Sequence, residues 1–176
     1  MLGLMYLSGT KVIRDDKEAI KWLERSAEQE YVEAQYYLGE IYAGLHETKK
    51  DNKEAYKWLL RASKNNHAKA QTLLATMLIE GKSVRKNIPE GLYWLELAAK
   101  NGNDAAQYFL GGIYFKGKLV ERNYKEGLKW YRLSALQGNP VSQFDLATIY
   151  YNGVGTPENY KEALHWYRLA AAQGFD

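Results

Sequence analysis

The chain contains five tryptophans, and each follows the previous one after the same interval of 36 residues. No insertion or deletion interrupts the series, which is Trp22, Trp58, Trp94, Trp130 and Trp166. A fixed interval of this size indicates an array of similar structural units that stack on one another. The period restricts the fold more than the length of 176 residues does, because that length alone would suggest one ordinary globular domain.

The first half of each unit has the pattern of a helix, which we call helix A. In the fourth unit, small or apolar residues occupy positions 106, 110, 111, 113 and 114, which is the spacing of one helix face. A glycine is expected to end this helix in four units, namely Gly9, Gly81, Gly117 and Gly153. The second unit has Leu45 at this position and Gly44 before it, so we expect its loop to differ.

The second half of each unit begins with an aspartate or asparagine three residues before a glutamate. The pairs are Asp15/Glu18, Asp51/Glu54, Asn87/Glu90, Asn123/Glu126 and Asn159/Glu162. The pattern predicts a capping box at the start of a second helix, helix B, in which the cap side chain accepts from backbone N–H groups and the glutamate binds back to the cap. We expect helix B to end at Asn66, Gly102, Gly138 and Gly174, whereas Glu30 suits the left-handed conformation less well.

Small residues are predicted to bring the two helices of a unit together. Helix A has only glycine or alanine at Gly39, Ala75, Gly111 and Ala147, and helix B has only these residues at Ala19, Ala55, Gly91, Gly127 and Ala163. Small side chains let two helix backbones approach closely, while large ones such as Trp130 fill the space beside them.

These patterns predict an all-α fold of five 36-residue helix pairs that form one domain over residues 1–176. The units are approximately 1–30, 31–66, 67–102, 103–138 and 139–176. Leu2, Gly3 and Tyr6 match the frame of Leu38, Gly39 and Tyr42, so the first unit has a shortened helix A. We therefore expect the chain to be a fragment of a longer protein.

The repeated pattern resembles the Sel1-like repeat, a relative of the tetratricopeptide repeat. In the fourth unit the matching residues are Ala106, Leu110, Gly111, Tyr114, Gly117, Asn123, Gly127, Trp130, Ala135 and Gly138. In the fifth they are Leu146, Ala147, Tyr150, Gly153, Asn159, Ala163, Trp166, Ala170, Ala171 and Gly174. The resemblance implies a right-handed α-α superhelix, of bacterial type, that acts as a protein-interaction scaffold or adaptor without catalysis or a cofactor, and whose concave surface is lined by helix A.

A protein or peptide partner is expected to contact the helix A positions that the core leaves over. These are Tyr36, Glu40, Thr72, Thr76, Ile79, Tyr108, Phe115, Lys116, Phe144, Tyr151 and Asn152. The aromatic members in the last two units are typical binding anchors, because rigid rings with a polar fringe dominate many interfaces. The alternative is that these rings pack between neighbouring helices and enlarge the core.

Other functions have weaker support in the sequence. A cell-wall or β-lactam hydrolase is one alternative, since Ser-x-x-Lys occurs at Ser8/Lys11 and Ser83/Lys86, but the Ser-Asp-Asn and Lys-Thr-Gly motifs that accompany it in such enzymes are absent. The chain has no cysteine, and His46, His67 and His165 lie in different units, so we predict no metal site, cofactor or catalytic group.

A row of basic residues gives a second alternative, a nucleic-acid binder. Arg14, Lys50, Lys86 and Arg122 recur once per unit before helix B, and Lys49, Lys82, Arg85 and Lys118 lie beside them. The net charge of +3 neither requires nor excludes a polyanionic partner. No apolar run is long enough to span a membrane, and the sequence leaves the compartment open.

The last helix B keeps the apolar pattern of the internal ones. Its residues Leu164, Trp166, Tyr167, Leu169 and Ala170 show no polar substitution of the kind that usually covers the end of an array. We therefore expect this face to be covered by a further helix or by another chain, including a second copy through self-association.

Overall fold

A computed structural model describes residues 2–46, 50–81 and 85–175. Over these residues the secondary structure consists of ten α-helices, two per repeat, and includes no strand. In order they are α1 (Leu2–Ser8), α2 (Asp16–Glu28), α3 (Val32–Ala43), α4 (Asn52–Lys64), α5 (Ala68–Glu80), α6 (Ile88–Lys100), α7 (Asp104–Lys116), α8 (Tyr124–Leu136), α9 (Pro140–Asn152) and α10 (Tyr160–Ala171). The odd-numbered helices are helix A of each repeat and the even-numbered ones are helix B.

The helices form two compact parts of the chain, Met1–Trp94 and Leu95–Asp176, with the division inside α6. We call these two parts the first unit and the second unit, and we call each helix pair a repeat. In the first unit α1 packs on α2 and α3 on α4, and α2 with α3 and α4 with α5 join neighbouring repeats. In the second unit α7 packs on α8 and α9 on α10, and α8 with α9 joins the repeats. Each helix is thus stabilised mainly by the elements next to it in sequence, as expected for a repeat array.

Each unit has an apolar core at the contacts between these helices. In the first unit Leu38 and Ile41 are fully buried and pack with Trp58. In the second unit Leu146 and Ala147 are fully buried and pack with Trp166. The residues on the helical frame therefore form the core that their spacing predicts.

The close approach of paired helices is confirmed where glycine occupies helix B. A Cβ atom built on Gly127 would lie 3.1 Å from the carbonyl oxygen of Gly111, and one built on Gly91 would lie 3.0 Å from that of Ala75. Both separations are tighter than ordinary van der Waals contact, so the backbones of helix A and helix B nearly touch at these positions.

The predicted caps of helix B are confirmed on the acceptor side. Asp15, Asp51, Asn123 and Asn159 are N-caps whose side chains accept from backbone N–H groups of the first turn. Asn87 does the same, since its Oδ1 accepts from the backbone N–H of Glu90 at 3.3 Å. These bonds satisfy donors that the start of a helix leaves unpaired.

The reciprocal half of the predicted capping box is wrong. The backbone N–H of each cap donates to a helix A carbonyl instead of to the glutamate, as when Asp51 donates to Tyr42 at 2.9 Å and Asn123 to Tyr114 at 2.9 Å. Because helix A packs so closely on helix B, its carbonyl reaches the cap before a glutamate side chain can. The glutamates are left to pair elsewhere, for example Glu54 with Lys57 at 3.0 Å.

The ends of the helices agree with the expectations for Gly44 and Glu30. Gly44 has φ +83° and caps α3, which is 12 residues long, whereas α5, α7 and α9 have 13. Glu30 is left-handed with φ +62° despite its side chain. Its carboxylate is held by Arg61 at 2.8 Å and by the Gln35 amide at 3.1 Å, and these bonds offset part of the backbone strain.

A recurring glutamine joins each helix A to the helix B before it. Its side-chain N–H donates to the carbonyl eight residues earlier, in the bonds Gln35–Ala27 (3.2 Å), Gln71–Ser63 (3.0 Å), Gln107–Ala99 (3.1 Å) and Gln143–Ala135 (3.1 Å). Those carbonyls lie in the last turn of helix B and also accept from the backbone N–H three residues further on, as Ala99 does from Gly102 at 3.1 Å and Ala135 from Gly138 at 3.0 Å. The glutamine therefore adds a second hydrogen bond to the end of helix B and ties the next helix A to it.

Candidate functional site

On α7, which is helix A of the fourth repeat, a tyrosine ring contacts a pair of glycines. Tyr131 belongs to α8, yet its ring crosses the backbone of α7 where Gly111 and Gly112 lack side chains. A Cβ atom on Gly111 would lie 2.8 Å from Cδ1 of the ring, and one on Gly112 would lie 3.4 Å from the hydroxyl. The glycine pair thus lets a helix B side chain reach the surface formed by helix A.

A cavity of about 380 Å³ opens beside this tyrosine. It is lined by Tyr108, Phe109, Gly112, Ile113, Lys116, Lys118, Leu119 and Tyr131. Ile113 and Leu119 supply apolar surface, the two tyrosines add ring faces, and the lysines give the cavity a cationic side. Its size and mixed lining are those of a site that accepts one side chain or a small ligand.

A carboxylate lies next to the cavity at a position that is apolar in other repeats. Asp145 of α9 corresponds to Tyr37, Leu73 and Phe109, and its carboxylate lies near enough to the Tyr108 hydroxyl for each group to influence the pKa of the other. Burial raises the pKa of Asp145, although the Tyr108 hydroxyl and the charge of Lys116 act against the rise. A half-buried acid in an apolar position costs stability, and such costs are often found at functional sites.

The tyrosines around this acid are held in the neutral form. Burial raises the pKa of Tyr131, and the charge of Asp145 raises it further. Burial also raises the pKa of Tyr108, with Asp145 as the next cause. Near neutral pH both hydroxyls therefore remain available as hydrogen-bond donors.

The other predicted residues of the second unit differ in their surroundings. Phe115 packs against α8, with its ring 4.9 Å from that of Tyr124. Phe144 contacts Tyr167 at 5.4 Å between ring centroids, and Lys116 and Asn152 are exposed. Tyr151 is 55% exposed and packs edge-on against Tyr160. The half-buried rings thus contact helix B residues, while Tyr151 presents most of its surface to solvent.

In the first unit, two predicted residues form a polar and aromatic cluster with a histidine. The Tyr36 hydroxyl donates to Glu40, and the Tyr36 ring stacks on His67 with 4.4 Å between centroids. Burial lowers the pKa of His67, and nearby Glu33 opposes this change. Nδ1 of His67 also accepts from the backbone N–H of Ala70 at 3.1 Å, so the neutral ring caps α5.

The remaining predicted residues of the first unit are turned toward the helices. The Thr72 hydroxyl donates to the Ala68 carbonyl at 2.9 Å, and Thr72 is buried. The Thr76 hydroxyl donates to the Leu73 carbonyl at 2.8 Å. Ile79 lies against Gly91 of α6, so its packing is within its own repeat.

Tyr131, Asp145 and His67 were not among the predicted site residues. Tyr131 had the position of a helix B core residue, and only the Gly111–Gly112 pair indicates that its ring could cross helix A. Asp145 could have been found from the sequence, because a charge replaces an apolar residue at one fixed position of the repeat. His67 occupies a junction position where Asn103 and Asn139 give no sign of aromatic stacking.

Three of the residues considered for other functions have local partners. The Ser8 hydroxyl shares a hydrogen bond with Thr10 at 2.7 Å, and Arg14 pairs with Asp16 at 3.0 Å. Arg122 contacts the hydroxyl of Tyr124 at 3.2 Å. Ser83, Lys49 and Lys82 lie outside the described residues.

The described part of the chain offers neither a metal-binding cluster nor a membrane-spanning helix. It contains no group of three or more histidine, cysteine, aspartate or glutamate side chains that could hold a metal ion. In the same residues, no helix combines the length and apolar character needed to cross a lipid bilayer.

The paired helices, their fixed period and the bonds between neighbours define an α-α helical-repeat protein of the solenoid class. The chain belongs to the Sel1 repeat family, whose sequence profile matches residues 1–31, 32–67, 68–103, 104–139 and 140–175. Sel1 repeat proteins are generally non-catalytic scaffolds that mediate protein interactions. Among curated protein sequences, none matches the chain significantly.

Solved structures of Sel1 repeat proteins are similar over nearly the whole chain. A Sel1 repeat protein from Oxalobacter formigenes is 32% identical with a TM-score of 0.89, covering 98% of this chain and 69% of that one. A protective antigen of uropathogenic Escherichia coli with an SLR fold is also 32% identical, with a TM-score of 0.90; the match covers 98% of this chain but only 37% of the antigen. An immunity protein from Pseudomonas aeruginosa, 23% identical with a TM-score of 0.61, covering 94% of this chain and 60% of that one, shares the fold alone.

Proposed function

We propose that the chain is a scaffold that binds a protein or peptide partner through the helix A surface, which would form the concave face of the array. The observation that carries this proposal is the cavity at Tyr108 and Tyr131, because it combines apolar depth, donor hydroxyls and charge on the face where partners are expected. Its features are those of an interface anchor pocket, in which buried aromatics dominate the binding energy.

In this proposal an apolar side chain of the partner enters the cavity toward Ile113 and Leu119. Lys116 and Lys118 then contact an acidic group beside that side chain, and Asp145 lies near the Tyr108 hydroxyl. Tyr151 and Asn152 extend the surface along α9, since both are exposed. Tyr36 and Glu40 supply a separate contact region in the first unit. Because Phe115 and Ile79 pack within their own repeats, they would support the surface more than touch the partner.

The test is affinity capture with quantitative mass spectrometry, using Tyr108→Ala against wild type. Loss of an anchor ring is expected to lower capture of the partner about tenfold or more. Tyr93→Ala is a matched control, because Tyr93 is 60% exposed on helix B of the third repeat. Helicity and thermal midpoint are measured in parallel, and a collapsed midpoint for Tyr108→Ala would show that this ring is a core residue and would contradict the proposal.

The hydrolase alternative predicts a different result. Wild-type protein would turn over nitrocefin, and replacement of Ser8 would stop the reaction. The scaffold proposal predicts no turnover by either protein.

A second surface on α10 is proposed for self-association. Trp166 and Ala170 are buried, whereas Leu164 is 50% exposed although its counterpart Leu128 is half-buried. Leu169 is as exposed as Leu133, so the extra apolar surface of the last helix is centred on Leu164. Sedimentation equilibrium should show a dimer that Leu164→Lys dissociates; a monomer at high concentration would contradict this proposal.

A further inference from the structure

One position of helix A departs from the repeated pattern in the third repeat. A tyrosine occurs at the same place in four repeats, as Tyr6, Tyr42, Tyr114 and Tyr150, but the third repeat has Leu78. The two side chains differ by a hydroxyl and most of a ring. The second repeat shows which space the tyrosine ring occupies.

Tyr42 lies between two helix B elements. It packs with Ile20 against the core of the first unit, and its hydroxyl donates to Glu24 of the preceding repeat at 3.0 Å. Burial, followed by that bond to Glu24, raises the pKa of Tyr42 to about 12, and the charges of Glu54 and Asp51 act in the same direction. The ring is thus placed beside the cap of its own helix B.

The corresponding place in the third repeat is a cavity of about 750 Å³. Its lining comprises Leu78, Tyr56, Lys53, Arg85, Lys86, Asn87 and Glu90. Tyr56, Asn87 and Glu90 are the counterparts of Ile20, Asp51 and Glu54, so the cavity includes the place that a tyrosine ring takes in the repeat before it. The volume is within the range of about 300–1,000 Å³ that is typical of ligand pockets.

The lining is cationic. Lys53, Arg85 and Lys86 contribute three positive charges, and no ion pair of theirs occurs among the described residues. Among the described residues of the lining Glu90 is the one acid, and its carboxylate accepts from the Asn87 amide at 2.8 Å. An anion would therefore gain favourable interactions that these side chains do not already make with one another.

We propose that this cavity binds an aromatic ring that carries an anionic group. The ring lies on Leu78 and beside Tyr56, in the space that tyrosine fills in the other repeats, and the anion contacts Arg85 and Lys86. The site is separate from the helix A surface and does not depend on the function proposed for it. A phosphotyrosine side chain of a partner and a free aryl phosphate share this chemistry.

The probe is phenyl phosphate, followed by calorimetry and by backbone amide shifts in NMR. Phenyl phosphate is expected to bind about tenfold or more tightly than either phenol or inorganic phosphate, because only the whole probe satisfies both parts of the site. Leu78→Tyr should keep the wild-type helicity, since the other repeats carry tyrosine there, and should lose binding because its own ring takes the place of the ligand ring. Lys86→Gln should weaken phenyl phosphate without changing the binding of phenol.

Three results would overturn the proposal. Inorganic phosphate could bind as tightly as phenyl phosphate, which would mean that the exposed cations alone bind the anion and that the ring adds nothing. Leu78→Tyr could bind like wild type, or it could fail to fold, which would show that the space does not fit a ring. A phosphotyrosine peptide that binds more tightly than phenyl phosphate assigns the ligand to a protein partner, whereas equal affinity assigns it to a small molecule.

Discussion

The ring of Tyr131 lies directly on Gly111, with only 2.8 Å between Cδ1 and the place of a Cβ atom. Gly111→Ala should therefore push the tyrosine out of position, because the near atoms belong to the base of the ring and not to its free end. We expect a loss of about 1–3 kcal/mol in the free energy of unfolding, which is typical of overpacking. Urea denaturation measures this loss.

Gly112→Ala is the matched control. A Cβ atom there would lie 3.4 Å from the Tyr131 hydroxyl, which is ordinary contact, and alanine favours a helix over glycine by about 0.5–1 kcal/mol. This variant should be as stable as wild type or more so. Equal stability of the two variants would contradict the proposed role of Gly111.

Asp145→Leu should stabilise the second unit and weaken partner binding. Burial raises the pKa of Asp145 above its ordinary 3.8, so the folded state disfavours the charged form that is present at neutral pH. Leucine removes this cost and adds apolar burial worth roughly 1 kcal/mol. A raised thermal midpoint with reduced capture of the partner is the expected result.

The stability difference between Asp145→Leu and wild type should depend on pH in a definite direction. Above the raised pKa the wild type carries the full cost of the folded-state charge. The cost shrinks as pH falls through the folded-state pKa and disappears below 3.8, where both states are protonated. The stability gap between Asp145→Leu and wild type should narrow as the pH is lowered through this window. A gap that widens would contradict burial as the main influence.

His67 should make the first unit less stable in mild acid. Burial lowers its pKa below 6.5, so the unfolded chain binds a proton more readily than the folded chain. Stability is retained above 6.5 and is lost as pH falls from 6.5 through the folded-state pKa. Thermal midpoints measured from pH 7.5 to about pH 5 follow this loss.

His67→Asn provides the control for this titration. Asn103 and Asn139 occupy the same position and cap their helices through Oδ1, at 2.8 Å and 2.9 Å from the backbone nitrogens of Ala106 and Ser142. The asparagine variant should keep the cap without the proton. Identical pH profiles for wild type and variant would exclude His67 as the source.

The junctions between repeats in the two units differ in the length of one amide side chain. In the second unit the Gln107 Oε1 accepts from Gln137 at 2.8 Å, whereas the buried Gln35 Oε1 has no partner among the described residues. Asn65, the counterpart of Gln137, is one methylene shorter and donates to the Arg61 carbonyl. Asn65→Gln should add about 1 kcal/mol of stability, and Gln137→Asn should remove a similar amount.

Denaturation of both variants tests the pair. The opposite substitutions should shift the denaturation midpoint in opposite directions. Shifts of the same sign would mean that the amide bond is not the cause.

The helix pairs could be predicted from the sequence because every unit repeats the same spacing, so five copies support each inference. The caps at Asp51 and Asn123 followed from residue type alone. The partner of the cap N–H did not, because the Tyr42 and Tyr114 carbonyls reach it only once two helices have packed.

The surface features were harder to predict because they depend on departures from the repeat. Tyr131 reaches the surface of helix A through a gap that two glycines leave, and this contact depends on how α8 packs on α7. The cavity at Leu78 arises from the loss of one ring and becomes visible only when repeats are compared. Repetition therefore predicts what the units share, and the exceptions indicate where this chain differs from other arrays.

The most direct test of the central claim is site-specific photo-crosslinking in cells of the source organism. A benzophenone amino acid replaces either Tyr151 on helix A or Tyr93 on helix B, which are 55% and 60% exposed. If the helix A surface binds the partner, position 151 should give one defined protein adduct that Tyr108→Ala removes, and position 93 should give none. Equal adducts from both positions, or an adduct from position 93 alone, would contradict the account.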